Sequence, residues 1–156
     1  MKLMKSTVYL AVCGVLSFLL GRAMPKEWFH SDSRLFRPKA WEMDGRWYHR
    51  LHIRKWQKRL PDMSKILPGV MPAKALNNRA DVQEVETMIQ ETCVAELIHI
   101  LLMIAGLGCL WIWPGTGGLL LTVCNTLGNL LFVWVQRYNR PRLERLHERL
   151  CQEVHI

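Results

Sequence analysis

The stretch Val94–Val135, VAELIHILLMIAGLGCLWIWPGTGGLLLTVCNTLGNLLFVWV, decides the fold of this chain. Val94 to Trp113 is apolar over about 20 residues, which at ~1.5 Å each matches the ~30 Å hydrocarbon core of a bilayer. A second apolar run, Gly117 to Val135, follows a tight uncharged link, Trp113-Pro114-Gly115-Thr116-Gly117-Gly118. Two helices joined by so short a turn must run antiparallel. The expectation is a mainly α membrane protein built on a two-helix transmembrane hairpin.

Upstream, Met4 to Leu20 is a third, shorter apolar run with Lys2 and Lys5 before it and Arg22 behind. Two readings stay open: a retained transmembrane anchor, or a secretory signal with Gly21-Arg22-Ala23 as its small-x-small site. Orientation follows Lys and Arg. Thirteen lie between Pro25 and Cys93, five follow Val135, and the hairpin turn has none. Both basic regions therefore belong at the cytoplasmic face, with the turn outside.

The expected organisation is residues 1–24 as anchor or uncleaved signal and 25–80 as a basic aromatic interfacial region. Residues 81–136 form a long helix and the hairpin, and 137–156 a basic cytoplasmic helix. Asp81 with Glu84 reads as a helix N-cap pair, so the second span starts well before lipid. From Trp47 to Leu60 the pattern suits an amphipathic interfacial helix, ended by Pro61-Asp62. Pro68, Gly69 and Pro72 mark a loop. Asn139 and Pro141 suit the start of a closing helix lined by Leu143, Leu146 and Leu150.

The 156 residues are 50% hydrophobic, yet 22% are charged, with a net charge of +8. Beside apolar spans, that positive charge points to an anionic membrane surface rather than to nucleic acid, for which no motif is visible. Five scattered cysteines without a C-x-x-C indicate neither zinc nor a disulfide framework. No nucleophile elbow, P-loop or dinucleotide fingerprint occurs, and no His has an Asp five positions later.

Ionisable groups are costly in lipid and tend to be functional there. Glu96 and His99 stand about 4.5 Å apart along one helix face. A carboxylate that orients an imidazole makes it a general base, able to activate a hydroxyl for attack on a thioester or ester. The competing role is a polar pair that fixes helix packing. A Glu-x-x-His is also half of a di-iron pattern, but no second copy exists, so no metal is expected. The returning span brings the block Gln136-Arg137-Tyr138-Asn139-Arg140-Pro141-Arg142-Leu143 level with this pair. Asn139, Arg140 and Arg142 are candidates to bind a carbonyl, phosphate or carboxylate. Arg137 alone reads as a topology determinant. Trp41-Glu42 offers a further site, with Glu42 paired to an arginine of its own region such as Arg37. Asn125 and Asn129 suit hydrogen bonding between helices.

Leu35-Phe36-Arg37, Trp41-Glu42 with Gly45 and Tyr48, and Ile53-Arg54-Lys55-Trp56 with Leu60-Pro61-Asp62 occur in order. Glu91-Thr92-Cys93, Ala95-Glu96-Leu97 with His99, and the Gln136–Leu143 block follow them. Together these segments resemble the small bacterial glycosyl-4,4'-diaponeurosporenoate acyltransferases of staphyloxanthin-type carotenoid biosynthesis. Val94 and Ile100 depart from a pattern with Arg before Ala-Glu-Leu and Trp after the His. The resemblance implies transfer of a fatty acyl group onto a sugar hydroxyl of a glycosylated carotenoid or related glycolipid, without a cofactor. Acyl-CoA or acyl-carrier protein would be the donor, at the cytoplasmic face of a bacterial cell membrane. The resemblance assigns no catalytic residues; from the residues' own spacing, the expectation is that His99 takes the hydroxyl proton, Glu96 orients it, and Asn139 or Arg140 stabilises the oxyanion. A non-enzymatic scaffold subunit of a lipid-modifying complex is the alternative.

Overall fold

The computed structural model describes residues 1–60 and 81–154. Five α-helices occur there: α1 Lys2–Ala23, α2 Ile53–Trp56, α3 Val82–Gly106, α4 Cys109–Ile112 and α5 Thr116–Val154. No strand occurs among the described residues. Lys2–Ala23, Val82–Ile112 and Thr116–Glu153 are each long and apolar enough to cross a membrane. Leu16, Leu19, Ile104, Leu120 and Leu127 are exposed along them, as lipid-facing side chains should be.

The hairpin forms as its turn chemistry predicts. Gly115 has φ 100°, a left-handed conformation that glycine adopts without steric cost. Near this turn, Thr122 Oγ1 donates to the Gly106 carbonyl at 3.1 Å, and Asn125 Nδ2 to that of Leu102 at 2.9 Å. A Cβ at Gly106 would overlap Asn125 Nδ2, so glycine is what lets the amide reach across. Asn125 and Asn129 thus join helices, as expected. On the other flank, the Tyr9 hydroxyl donates to the Ala105 carbonyl at 2.8 Å, while Gly21 packs on Ile98 and Val94. α1 therefore runs antiparallel to α3, its Lys2 end beside the hairpin turn.

Asp81 is the N-cap of α3, although its side chain makes no capping hydrogen bond. Two other expectations are corrected. Trp47–Leu60 is not one helix: 3₁₀ turns at Arg46–Leu51 and Gln57–Arg59 flank α2, with His52 left-handed at φ 52°. The break has a packing cause. Tyr48 and Ile53 are five residues apart, on different faces of a continuous helix, yet both are buried in one cluster with Tyr138.

The second correction concerns Pro141, which starts no new helix. It lies inside α5, whose 39 residues extend about 58 Å. Its missing N–H removes only the bond to the Arg137 carbonyl. Gly45, at φ 83°, packs against that turn, its side facing Pro141 Cγ and the Arg137 and Tyr138 carbonyls.

The chain from Pro25 to Leu60 folds over the rim where α1 ends, α3 begins and α5 leaves the apolar zone. Phe29 and Phe36 bury against Cys93 and Val94, and Lys26 pairs with Glu91 at 2.5 Å. The expected loop through Pro68, Gly69 and Pro72 lies outside the described residues.

Candidate functional site

Four ionised side chains from three remote segments meet at this rim. Glu42 comes from the 3₁₀ turn Ala40–Glu42, Glu96 from α3, and Arg137 and Arg140 from α5. Arg137 and Arg140 are three apart, hence on one face, and that face looks at Thr92 and Glu96, which are four apart on α3. Arg137 donates Nε to Glu96 at 2.6 Å, Nη1 to both Glu42 oxygens at 2.9 and 3.0 Å, and Nη2 to the Leu35 carbonyl at 2.9 Å. Arg140 donates Nε to Thr92 Oγ1 at 2.8 Å and Nη1 to the Phe36 carbonyl at 2.8 Å. Its Nη2 reaches Glu96 at 2.5 Å and the Thr92 carbonyl at 3.1 Å.

Glu96 is fully buried, and Arg140 and Glu42 are 1% and 2% exposed. A buried charge survives only if paired and fully hydrogen-bonded. Here two carboxylates face two guanidiniums, so the cluster is formally neutral.

Glu42 is oriented further by the Tyr48 hydroxyl and the Lys39 N–H, each at 2.5 Å. Burial works to raise its carboxyl, but hydrogen bonds from Tyr48, Lys39 and Arg137 together hold it below the usual carboxylate range. Burial first, then the bond to Glu42, push the Tyr48 phenol well above its ordinary value. The turn that aims Glu42 is tight: Met43, Asp44 and Gly45 all have positive φ.

The partners of Glu96 and His99 bear on the expected dyad. Both oxygens of Glu96 accept from Arg137 and Arg140, whereas His99 Nδ1 lies 2.9 Å from Asn129 Oδ1 and its ring stacks on Phe132 at 4.6 Å. Asn129 Nδ2 donates to Asn125, so its oxygen is the acceptor and His99 Nδ1 carries the hydrogen. Glu42 pairs with Arg137 rather than with Arg37. Trp41 packs its half-exposed ring edge-on to Trp47. Asn139 donates to Gln57 Oε1 at 3.3 Å, and the Arg142 guanidinium covers the Tyr138 ring at 3.9 Å. Of the basic block, Arg140 is in the cluster and Asn139 and Arg142 are not. Arg137 is the central residue that reading the sequence assigned to topology alone. The i, i+3 spacing of Arg137 and Arg140 opposite Thr92 and Glu96 was the available signal.

Beside the cluster is a cavity of only about 10 Å³, bordered by Gly45, Pro38 and Pro141, room for about one water. A larger cavity of about 350 Å³ opens farther out, among residues 29–32, the start of α3 and the far part of α5. Phe29 and Ile89 are its apolar side, Gln90 and Ser31 its neutral polar groups. His30 and His147 line it too, with Asp32, Glu86, Glu144 and Glu148. No group of three or more His, Cys, Asp or Glu among the described residues is placed to hold a metal ion.

The family model for glycosyl-4,4'-diaponeurosporenoate acyltransferase matches residues 25–149. Proteins of that name from Staphylococcus aureus strains MRSA252 and N315 are each 29% identical over 132 residues, covering 81% of this chain and 76% of the relative. No solved structure matches. The family match spans the whole rim, including Glu42, Glu96, Arg137 and Arg140, and with it the chain belongs to the glycosyl-4,4'-diaponeurosporenoate acyltransferase family.

Proposed function

We propose that this protein transfers a fatty acyl group from a thioester donor, acyl-CoA or acyl-carrier protein, to a sugar hydroxyl of a glycosylated carotenoid or related glycolipid. The reaction takes place at the cytoplasmic rim of the bacterial cell membrane. The observation that carries this reading is the family match over residues 25–149, which covers every residue of the rim cluster. Three helices of spanning length support a lipid-borne acceptor. The excess of Lys and Arg on the rim side supports its cytoplasmic orientation.

The Glu42–Arg137–Glu96–Arg140 cluster acts as a clamp rather than as the reacting group. Most of its N–H donors are spent on protein acceptors, and its neighbouring cavity is too small for a sugar or a thioester. What it supplies is geometry: it fixes the segment Leu35–Tyr48 against α3 and α5, so that groups on all three keep their spacing. His99 belongs to the polar ladder through Asn129 and Asn125 that holds the two long helices in register.

In the transfer, the sugar oxygen bonds to the acyl carbonyl carbon, the carbon–sulfur bond breaks, and the departing thiolate takes up the proton lost by the hydroxyl. The test is reconstitution of the purified chain in lipid nanodiscs with a glycosylated carotenoid and labelled acyl-CoA or acyl-carrier protein. The expected result is a labelled ester recovered in the lipid extract. If the well-folded chain yields ester only when a second membrane protein is added, it is a scaffold subunit and the reading fails.

A further inference from the structure

We propose that the 350 Å³ cavity receives the sugar head group of the acceptor, and that His147 takes the proton from its reacting hydroxyl. This inference rests on the acyl-transfer reading above.

The volume sits at the lower end of the range for ligand pockets, roughly 300–1,000 Å³. That suits a monosaccharide better than a coenzyme. The lining chemistry agrees. Phe29 and Ile89 offer an apolar side for the C–H face of a sugar ring, and Gln90 both donates and accepts hydrogen bonds. Carboxylates accept from hydroxyls, and charged acceptors make the stronger bonds. The same carboxylates repel phosphates, so a coenzyme A head group is disfavoured within the cavity although the protein carries a net charge of +8. The site is negative where the rest of the molecule is positive.

Its depth also fits a lipid-anchored substrate. Gln90 precedes the apolar run that starts at Val94 by four helical residues, about 6 Å. That places the near wall in the head-group layer, which adds roughly 5–7 Å to each side of the hydrocarbon core. A polyene tail can therefore stay in the bilayer while the sugar enters.

Two imidazoles line the cavity. His30 is exposed in the irregular chain after the 3₁₀ turn Lys26–Trp28, whereas His147 is half-buried on the regular helix α5. Glu144, also on the lining, precedes His147 by three residues on the same face, and Cys151 Sγ, one turn on, lies against the ring at 3.9 Å from Nδ1 and 4.0 Å from Nε2. Half-buried on a regular helix beside a carboxylate, the His147 imidazole is the better-placed base. Its proton passes on to the leaving thiolate, so the step is balanced without a further reactant. His99 cannot serve a hydroxyl held here. It lies nine residues beyond Gln90 on α3, about 14 Å along the axis and half a turn around it.

The test uses the full chain in nanodiscs, with the acylated glycolipid quantified by mass spectrometry. His147→Ala and the size-conserving His147→Gln should each lower kcat by about 10²–10⁴-fold, the usual contribution of a general base. Gln90→Ala should raise KM for the acceptor at least tenfold and leave KM for the donor unchanged. His99→Gln, which keeps a side-chain donor for Asn129, should keep kcat within about threefold. An active wild type whose His147 and Gln90 variants match it, or whose activity is abolished by His99→Gln in a variant with wild-type Tm, overturns the proposal. Binding of a short-chain alkyl glycoside separates the two levels. If the wild type transfers no acyl group yet binds the glycoside in a Gln90-dependent manner, the acyl-transfer reading fails and the sugar site stands. With neither activity nor binding, both fall.

Discussion

Replacing Arg140 by methionine keeps most of the side-chain volume and removes one of the two positive charges of the Glu42–Arg137–Glu96–Arg140 clamp. The clamp then holds two carboxylates against one guanidinium, with Glu96 fully buried and the lost side chain itself 1% exposed. Solvent cannot screen the imbalance. Removing one partner of a buried ion pair costs about 3–5 kcal/mol. Arg137 still holds Oε1 of Glu96, so the lower end, about 3 kcal/mol, applies to the charge. The Phe36 carbonyl also loses the Arg140 donor, which adds about 1 kcal/mol. For a chain of this size roughly 2–4 °C of Tm follows each kcal/mol, so the variant should melt about 8–16 °C below the wild type. Intrinsic fluorescence of the seven tryptophans, followed in detergent at a fixed scan rate, reads the shift. A second variant tests the cause. Glu96→Gln added to Arg140→Met restores one charge of each sign, Glu42 against Arg137, and should recover part of the lost Tm rather than add to the loss. A single variant within 2 °C of wild type, or a double variant destabilised by the sum of its parts, would refute the charge-balance argument.

Three further outcomes follow from the rim and the hairpin. The folded-state pKa of Glu42 lies below its ordinary value near 4.5, so as pH falls the unfolded chain takes up its proton first. The stabilisation is intact above about pH 4.5 and declines below it, and Tm measured against pH should fall less steeply in Glu42→Gln than in wild type. Gly45→Ala forces a side chain into φ 83° with its Cβ 3.4 Å from Pro141 Cγ. It should cost about 1–2 kcal/mol, whereas Gly14→Ala, with no atom within 4 Å, should leave Tm unchanged or slightly raised. Gly106→Ala displaces Asn125 and breaks its bond to the Leu102 carbonyl. Its Tm should fall by several degrees, and cysteine crosslinks between α3 and α5 should form less efficiently.

Periodicity and turn chemistry made the helical frame readable in advance. The apolar lengths, the Pro114-Gly115 turn and the capping position of Asp81 all point to the elements found. The bonds of Asn125 to the Leu102 carbonyl and of Asn129 to His99 on the neighbouring helix were readable too, because a polar side chain inside an apolar helix has few partners besides the neighbouring helix. Partner choice at the rim was not. Glu96 and His99 share a helix face, but small differences in azimuth send one to Arg137 and Arg140 and the other to Asn129 and Phe132. Spacing within a helix cannot report that. The Glu42–Arg137 contact spans 95 positions, and it depends on three left-handed residues whose conformation only tertiary packing selects. The same packing overrode the helical pattern of Trp47–Leu60, and it let α5 run through Pro141.

The clamp also bears on how the protein enters its membrane. Glu96 emerges from the ribosome 41 residues before Arg137 and 44 before Arg140. For that interval the carboxylate has no counter-ion from α5, and an unpaired charge in a membrane helix costs up to about 3 kcal/mol at mid-depth, less near the surface. α3 therefore gains little by settling early. Its final seat becomes favourable once the downstream arginines arrive, which makes integration of the hairpin a concerted event rather than a helix-by-helix one.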